Sequence, residues 1–464
     1  MRKFFASVLA LGLITSGVAE AAITKGPYLQ QVTRTSIVVM WETDSAAAGE
    51  VRLTTPAGQR TITAAMGTAH EVLVDGLTAD TAYTYTVISG GATAPTGNFV
   101  TAPEASSPFM FVAYGDNRDG DAEHMAVVNA MRTVGADFGV LTGDAVASDS
   151  ATEWQKFFDV EGPLLLSLPI FTSLGNHELL PSLDSIIAGL PPARYKKLFS
   201  LPGNGQDAER NYSFTYGNTV FIGVDGNNAA ATAQRDWLRT TLMAARANPM
   251  VKNIVVMGHH GTYSTSNHGG TGSAQSLWVP LFEQYNVELV LQGHDHTYEH
   301  LEKAGVHYVT LGGAGAPLYS QEAGSPDLPY SKKYVMVNHF ATIRVDGDFM
   351  ELRAQKPDGT VIDTFSIGTP VGPTPDGGVV NPPTDAGSRD GSASPSPSPS
   401  PSGSSEGGVD PIDPGGSADS GCGCSAGGRG AGTGSDASAM IPLVSLLFCG
   451  ILVWRVRSRR ARRS

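Results

Sequence analysis

Five times between residues 109 and 296, an apolar, strand-like run ends in a glycine and a potential metal ligand follows at once. Residues 109–114 lead to Gly115-Asp116, residues 138–142 to Gly143-Asp144, and residues 170–174 to Gly175-Asn176-His177-Glu178. Residues 254–257 lead to Gly258-His259-His260, and residues 287–292 to Gly293-His294-Asp295-His296. An amphipathic candidate helix, residues 122–134, lies between the first two. Strands alternating with helices specify an α/β fold, in which ligands gather beyond the C-terminal ends of the strands. The five polar segments are therefore expected to meet on one rim.

The residue types define the chemistry of that rim. Carboxylate, amide oxygen and imidazole, with no thiolate, suit a borderline divalent or trivalent metal. One ion needs about four to six such ligands, and this set exceeds that. Two ions sharing one carboxylate is the economical expectation. Two metals ~3.5–4 Å apart clamp both the attacking and the departing oxygen of an in-line phosphoryl transfer. Each segment alone is a weak signal, because Gly-Asp after a strand is common and a lone His is more often structural. Gly-Asn-His-Glu and Gly-His-x-His are more specific, and all five in order leave little room for a structural explanation. Lys+Arg 31 against Asp+Glu 44 gives −13, which disfavours nucleic acid as a partner. All 3 Cys follow residue 420, so disulfides do not staple the earlier part of the chain.

Upstream, short apolar runs at 36–41, 50–53, 71–74 and 83–87 alternate with Gly, Pro and Asp turns. They predict an all-β sandwich over residues 22–104. The catalytic unit is expected over 107–367. Both ends read as address labels. Arg2 and Lys3 precede the apolar stretch 4–14 and Ala19-Glu20-Ala21, the pattern of a secretory signal over residues 1–21. Residues 368–436 are rich in Pro, Gly and Ser and predict an extended, disordered linker. Residues 437–464 combine an apolar stretch with an Arg cluster, predicting a membrane anchor whose Arg end stays in the cytoplasm. Exported and held at the cell surface, the body would face outward.

In their order the five segments resemble the calcineurin-like metallophosphoesterase superfamily. With Lys25-Gly26-Pro27-Tyr28-Leu29 and the N-terminal sandwich, the resemblance narrows to the purple acid phosphatase-like branch. Leu77 with Thr81-x-Tyr83 looks like the corner of fibronectin type III-like domains. The resemblance implies a metallophosphoesterase β-sandwich flanked by helices, an α/β unit, behind a fibronectin type III-like domain. It implies a dinuclear phosphatase that cleaves monoesters of phosphorylated small molecules by attack of a metal-bound hydroxide, with Fe, Mn or Zn as the ions. Carried over by motif, Asp116 and His296 hold the first metal, Asp144 bridges, and Asn176, His259 and His294 hold the second. His177 steadies phosphoryl oxygens. His268 stands where the family keeps a histidine that protonates the leaving oxygen, or else is an exposed loop residue. The tail resembles the myxobacterial sorting tail, implying a sorting protease acting near Cys422. A phosphodiesterase or nucleotidase on the same core, and a surface binding protein without turnover, are the alternatives.

The match breaks in two places. The branch keeps a metal-binding Tyr three residues after the bridging Asp, and here that position is Ala147. No tyrosinate–iron colour is therefore expected, and Tyr114, beside Asp116, is the first phenol to test should the iron-loaded protein be purple. Many relatives keep a His two residues after the first Asp, and here it is Arg118. Arg118 either steadies a phosphate oxygen or pairs with a surface Asp. His260 is not expected to ligate, His300 is expected near the pocket rim, and His70, His124, His307 and His339 read as structural.

Overall fold

The computed structural model describes residues 21–55 and 57–370. The predicted leader apart from Ala21, the linker beyond residue 370, Cys422 and the C-terminal anchor lie outside the described residues. Among the described residues, no helix is long and apolar enough to cross a membrane.

The first unit is an antiparallel sheet of β1 (Ile23–Gln30), β2 (Ile37–Thr55), β3 (Gly58–Val74), β4 (Ala82–Ser89), β5 (Ala92–Thr93) and β6 (Gly97–Val100). The runs 36–41 and 50–53 are not separate strands. They are the two ends of β2, which pairs with β3 along its length and shifts register around Ala47. The polar stretch between them reads as a turn, but bulges absorb it without breaking the ladder. At the corner before β4, the Tyr83 hydroxyl accepts the Thr78 N–H at 2.9 Å. Ala21 bridges to Gly91 at the sheet's edge. Hydrogen bonds tie the sheet to later segments of the chain: Tyr28 Oη donates to the Leu198 carbonyl at 2.8 Å and Tyr85 Oη to the Leu166 carbonyl at 3.0 Å.

Two further sheets form an α/β sandwich. One contains β7 (Phe109–Tyr114), β8 (Phe138–Leu141) and β9 (Ile170–Thr172), and is completed late in the chain by β17 (Phe340–Asp346), β18 (Phe349–Gln355) and β19 (Val361–Ile367). The other runs β10 (Tyr212–Tyr216), β11 (Thr219–Gly223), β12 (Asn253–Met257), β13 (Leu289–Gln292), β15 (Val306–Leu311), β14 (Tyr298–Lys303) and β16 (Ser331–Val335). Strands β7, β8 and β9 are parallel, as are β11, β12, β13 and β15.

Alternation along the strands divides the core. Phe221, Val255, Met257, Leu289 and Leu291 join the core shared with the other sheet. Val220, Ile222, Ile254, Val256 and Val290 face a second core, with Leu238 and Leu242 at i, i+4 on the helix Thr232–Ala247. Between the sheets, Phe138 stacks on Phe111 at 5.2 Å and meets Phe221 edge-on at 5.3 Å. The candidate helix at 122–134 is observed as Asp121–Met131.

Candidate metal centre

All five motif segments leave the C-terminal ends of parallel strands: β7, β8 and β9 in one sheet, β12 and β13 in the other. The rim is therefore built by both sheets. The chain turns sharply to present the side chains. Asp116, Asp144 and His294 have φ of 56°, 54° and 71°, the left-handed region that Asp and His tolerate better than most residues. The glycines allow close approach. A Cβ on Gly175 would collide with Asp144 Oδ1, and one on Gly293 with Asp116 Oδ2.

The acceptor atoms of this rim point at one another. His259 Nδ1 lies 2.9 Å from the Thr142 carbonyl, which can only accept, so this nitrogen carries the proton and Nε2 is a lone pair. That Nε2 faces Asn176 Oδ1 at 3.0 Å, Asp144 Oδ1 at 3.2 Å and His294 Nδ1 at 3.2 Å. His296 repeats the arrangement: Nδ1 donates to the Pro317 carbonyl at 2.7 Å, and Nε2 lies 3.5 Å from Asp116 Oδ1. Asp116 Oδ2 accepts the His294 N–H at 2.9 Å, while the buried Oδ1 has no hydrogen-bond partner. One ligand atom each from Asp116, Asp144 and His259 lie within 4.8 Å of one another. Converging lone pairs with an orphaned carboxylate oxygen make a cluster that could hold a cation, and the donor set of oxygens and imidazoles fits the ions expected from the sequence.

Electrostatics agree. Burial, then the neighbouring Asp144, pushes the Asp116 carboxyl well above the usual carboxylate range. Burial would raise Asp144 too, but the backbone N–H of His177 and the Arg118 guanidinium hold it below that range. Burial lowers His259 and His294 and brings His296 to about 4, so all three rings are neutral, as metal ligands must be.

The structure brings every candidate site residue to this rim. His177 donates its backbone N–H to Asp144 Oδ1 at 3.0 Å and its Nδ1–H to the Ala147 carbonyl at 2.8 Å, leaving Nε2 3.8 Å from Asp144 Oδ2. Arg118 Nε donates to Asp144 Oδ2 at 3.2 Å, and the guanidinium also pairs with Asp119. His268 lies with its ring 4.0 Å from that of His294. The His260 ring also packs against His294, at 4.5 Å, and its buried Nδ1 has no partner.

Tyr114, the first phenol to test were iron-loaded protein coloured, turns its hydroxyl to buried Glu161 at 3.1 Å. One expectation fails: His300 does not approach the candidate ligands. Its Nε2 lies 2.9 Å from His307 Nδ1, and its ring stacks on Phe365 at 3.8 Å, because β14 carries it away from the strand ends.

Three residues that sequence reasoning passes over prove structurally central. Glu178 is buried and accepts the N–H groups of Gly175 at 2.7 Å, Ala145 at 2.7 Å and Asp144 at 3.2 Å, tying two ligand loops together. Burial, then Asp144, pushes its carboxyl up to about 8. Asp295, the spacer of Gly-His-x-His, holds His268 through its backbone N–H at 2.9 Å and its Nδ1 at 3.0 Å. Tyr319 stacks on His296, ring centroids 4.1 Å apart. The available signal for the two acids was a carboxylate enclosed within a ligand motif. Nothing local marks Tyr319.

Residues 109–298, which include every ligand candidate, match the family model "Calcineurin-like phosphoesterase". An uncharacterised protein of Mycobacterium tuberculosis is 28% identical over 262 residues, covering 48% of this chain and 49% of that protein. This chain thus spans about half the length of that relative. Tartrate-resistant acid phosphatase type 5 of Sus scrofa is 26% identical over 265 residues, covering 48% of this chain and 74% of the relative. Among solved structures, the purple acid phosphatase PPD1 of yellow lupin superposes with a TM-score of 0.63 at 18% identity, covering 74% of each chain. That likeness is one of fold.

Proposed function

From a calcineurin-like phosphoesterase match that spans all the candidate ligands, we propose that this chain is a metal-dependent hydrolase of phosphate monoesters. One observation carries the reading: lone pairs of Asp116, Asp144 and His259 converge within 4.8 Å while Asp116 Oδ1 has no partner. Asp116, Asp144 and His296 would hold one ion, and Asp144, Asn176, His259 and His294 the other. When bound, two such ions polarise a phosphoryl oxygen and make a water nucleophilic at neutral pH.

The chain's own residues supply the rest. Asp144 directs Oδ1 to His259 and Oδ2 to Arg118, so its charge serves both halves of the centre. The His177 Nε2 edge and the Arg118 guanidinium are placed to orient phosphoryl oxygens. His268, gripped by Asp295, keeps Nε2 free to pass a proton to the departing alkoxide. Export and retention at the cell surface through the C-terminal segment are part of the proposal, supported by the sequence of the two ends. Fractionation of cells making the full chain tests that part, and recovery in the cytoplasm counts against it.

The activity is tested with p-nitrophenyl phosphate, its bis-ester and ATP, each with and without divalent metal. Metal-dependent turnover greatest on the monoester is expected. Asp144→Asn should lower it at least ~100-fold and reduce bound metal, as loss of a ligand bridging two cations requires. Wild-type turnover in that variant would refute the assignment.

A further inference from the structure

We propose that Arg118 makes the first metal's place conditional on phosphate. Its guanidinium holds the electron pairs of that half of the centre until a phosphoryl group draws it away. The proposal rests on the phosphoesterase reading above and concerns how its site loads.

The ligand candidates fall into two unequal halves. Around His259 Nε2 stand Asn176 Oδ1, Asp144 Oδ1 and His294 Nδ1, at 3.0, 3.2 and 3.2 Å. Among the described residues, no Lys or Arg is bonded to any of these atoms, so this half is open to a cation. The other half comprises Asp116 Oδ1, Asp144 Oδ2 and His296 Nε2. Here Arg118 Nε lies 3.2 Å from Asp144 Oδ2, and Arg118 Nη2 lies 3.4 Å from His296 Nε2. His296 Nδ1 donates to the Pro317 carbonyl, so Nε2 is a lone pair that accepts from the guanidinium.

A guanidinium stays charged at any working pH, so it cannot become a ligand or vacate these pairs by losing a proton. A metal ion on His296 Nε2 needs the one lone pair that the guanidinium takes there, and a cation beside Asp144 Oδ2 meets the like charge of Arg118 at close range. The ion and the guanidinium therefore exclude each other from this half.

The guanidinium has somewhere to go. The Arg118 side chain is only 12% exposed, but besides the Tyr319 hydroxyl it also pairs with Asp119, whose side chain is 41% exposed. A swing toward Asp119 leads to solvent. A phosphate oxygen pair matches the guanidinium fork and competes for it as a charge-assisted bidentate partner. Phosphate that takes Arg118 releases Asp144 Oδ2 and His296 Nε2 to the incoming cation. By reciprocity, the cation raises phosphate affinity by the same factor as phosphate raises the cation's.

The test is metal binding, not turnover. Metal-stripped full-length chain is titrated with Mn²⁺ by calorimetry and equilibrium dialysis, with and without inorganic phosphate. The wild type should bind one ion tightly and a second at least ~10-fold more weakly, and phosphate should close most of that gap, within the usual range of coupling between sites. Arg118→Gln, checked for fold by circular dichroism, should bind both ions with similar affinity whether or not phosphate is present. Two equal ions in the wild type without phosphate, a single ion under all conditions, or a phosphate effect retained in Arg118→Gln would each overturn the proposal. Should Arg118→Gln misfold, Arg118→Lys takes its place and is expected to shrink the phosphate effect, an undiminished effect overturning the proposal. A chain that shows this linkage yet hydrolyses no phosphate ester removes only the functional reading. One that hydrolyses esters but loads both ions equally without phosphate removes only this one.

Discussion

Glu178 fastens Asp144 from behind: the Asp144 N–H donates to Glu178 Oε2 at 3.2 Å while the Asp144 carboxylate faces the ligand cluster. The Glu178 carboxylate also accepts from Gly175 and Ala145, so one buried side chain sets the separation of the loops after β8 and β9.

That relationship predicts the effect of Glu178→Gln. An amide of the same shape turns an NH₂ toward a backbone N–H that needs an acceptor, leaving donors unsatisfied in a buried place. Metal affinity should fall ~10–100-fold, as when a group that orients ligands is lost, with the overall fold kept. Calorimetric metal titration beside a circular dichroism spectrum checks it. Unchanged affinity would show that Glu178 does not set the loop geometry.

His268 should matter in proportion to the basicity of the leaving group. An alkoxide needs a proton to depart, whereas p-nitrophenolate does not. His268→Ala is expected to lower kcat/KM for alkyl phosphates by up to ~10²–10⁴-fold and for p-nitrophenyl phosphate far less. Equal losses on both esters would assign His268 to binding, and no loss would remove it from the reaction.

Iron-loaded protein should lack a visible tyrosinate–iron band. Ala147 offers no phenol, and the Tyr114 hydroxyl is committed to Glu161. Tyr319, stacked on His296, is the phenol best placed to contradict this. A purple iron-loaded protein whose colour disappears in Tyr319→Phe would show that Tyr319 reaches the metal.

His339 should make the fold acid-sensitive. It is buried, donates Nδ1–H to the Val337 carbonyl at 2.9 Å, and has no partner for Nε2. Burial lowers its pKa from 6.5 to about 4. The unfolded chain therefore binds the proton more readily. The contribution of this group is fully present above pH 6.5 and is lost as pH falls toward 4, by roughly 3 kcal/mol at about 1.4 kcal/mol per unit. Urea unfolding at pH 7 and pH 4.5 measures it. If His339→Asn, folded at pH 7, loses as much stability on acidification as the wild type, His339 is not the cause.

By itself, the sequence determined the α/β architecture and the set of candidate ligands. Both are written locally: apolar alternation specifies a strand, and the Gly-ligand step after it comes from neighbours in the chain. The strands β7, β8, β9, β12 and β13 and the metal candidates were legible for that reason. Only the tertiary structure decided how the set works. The Arg118–His296 contact and the Asp116–His294 bond each join residues 178 apart, and the His259–Thr142 bond joins residues 117 apart. So too, Tyr319 reaches His296 and Tyr114 turns away to Glu161. Even β2 looked like two strands, since its polar middle reads as a turn until β3 pairs with it on both sides. Which side chain faces which across two packed sheets depends on twist, register and close packing between distant segments, and no local spacing encodes those.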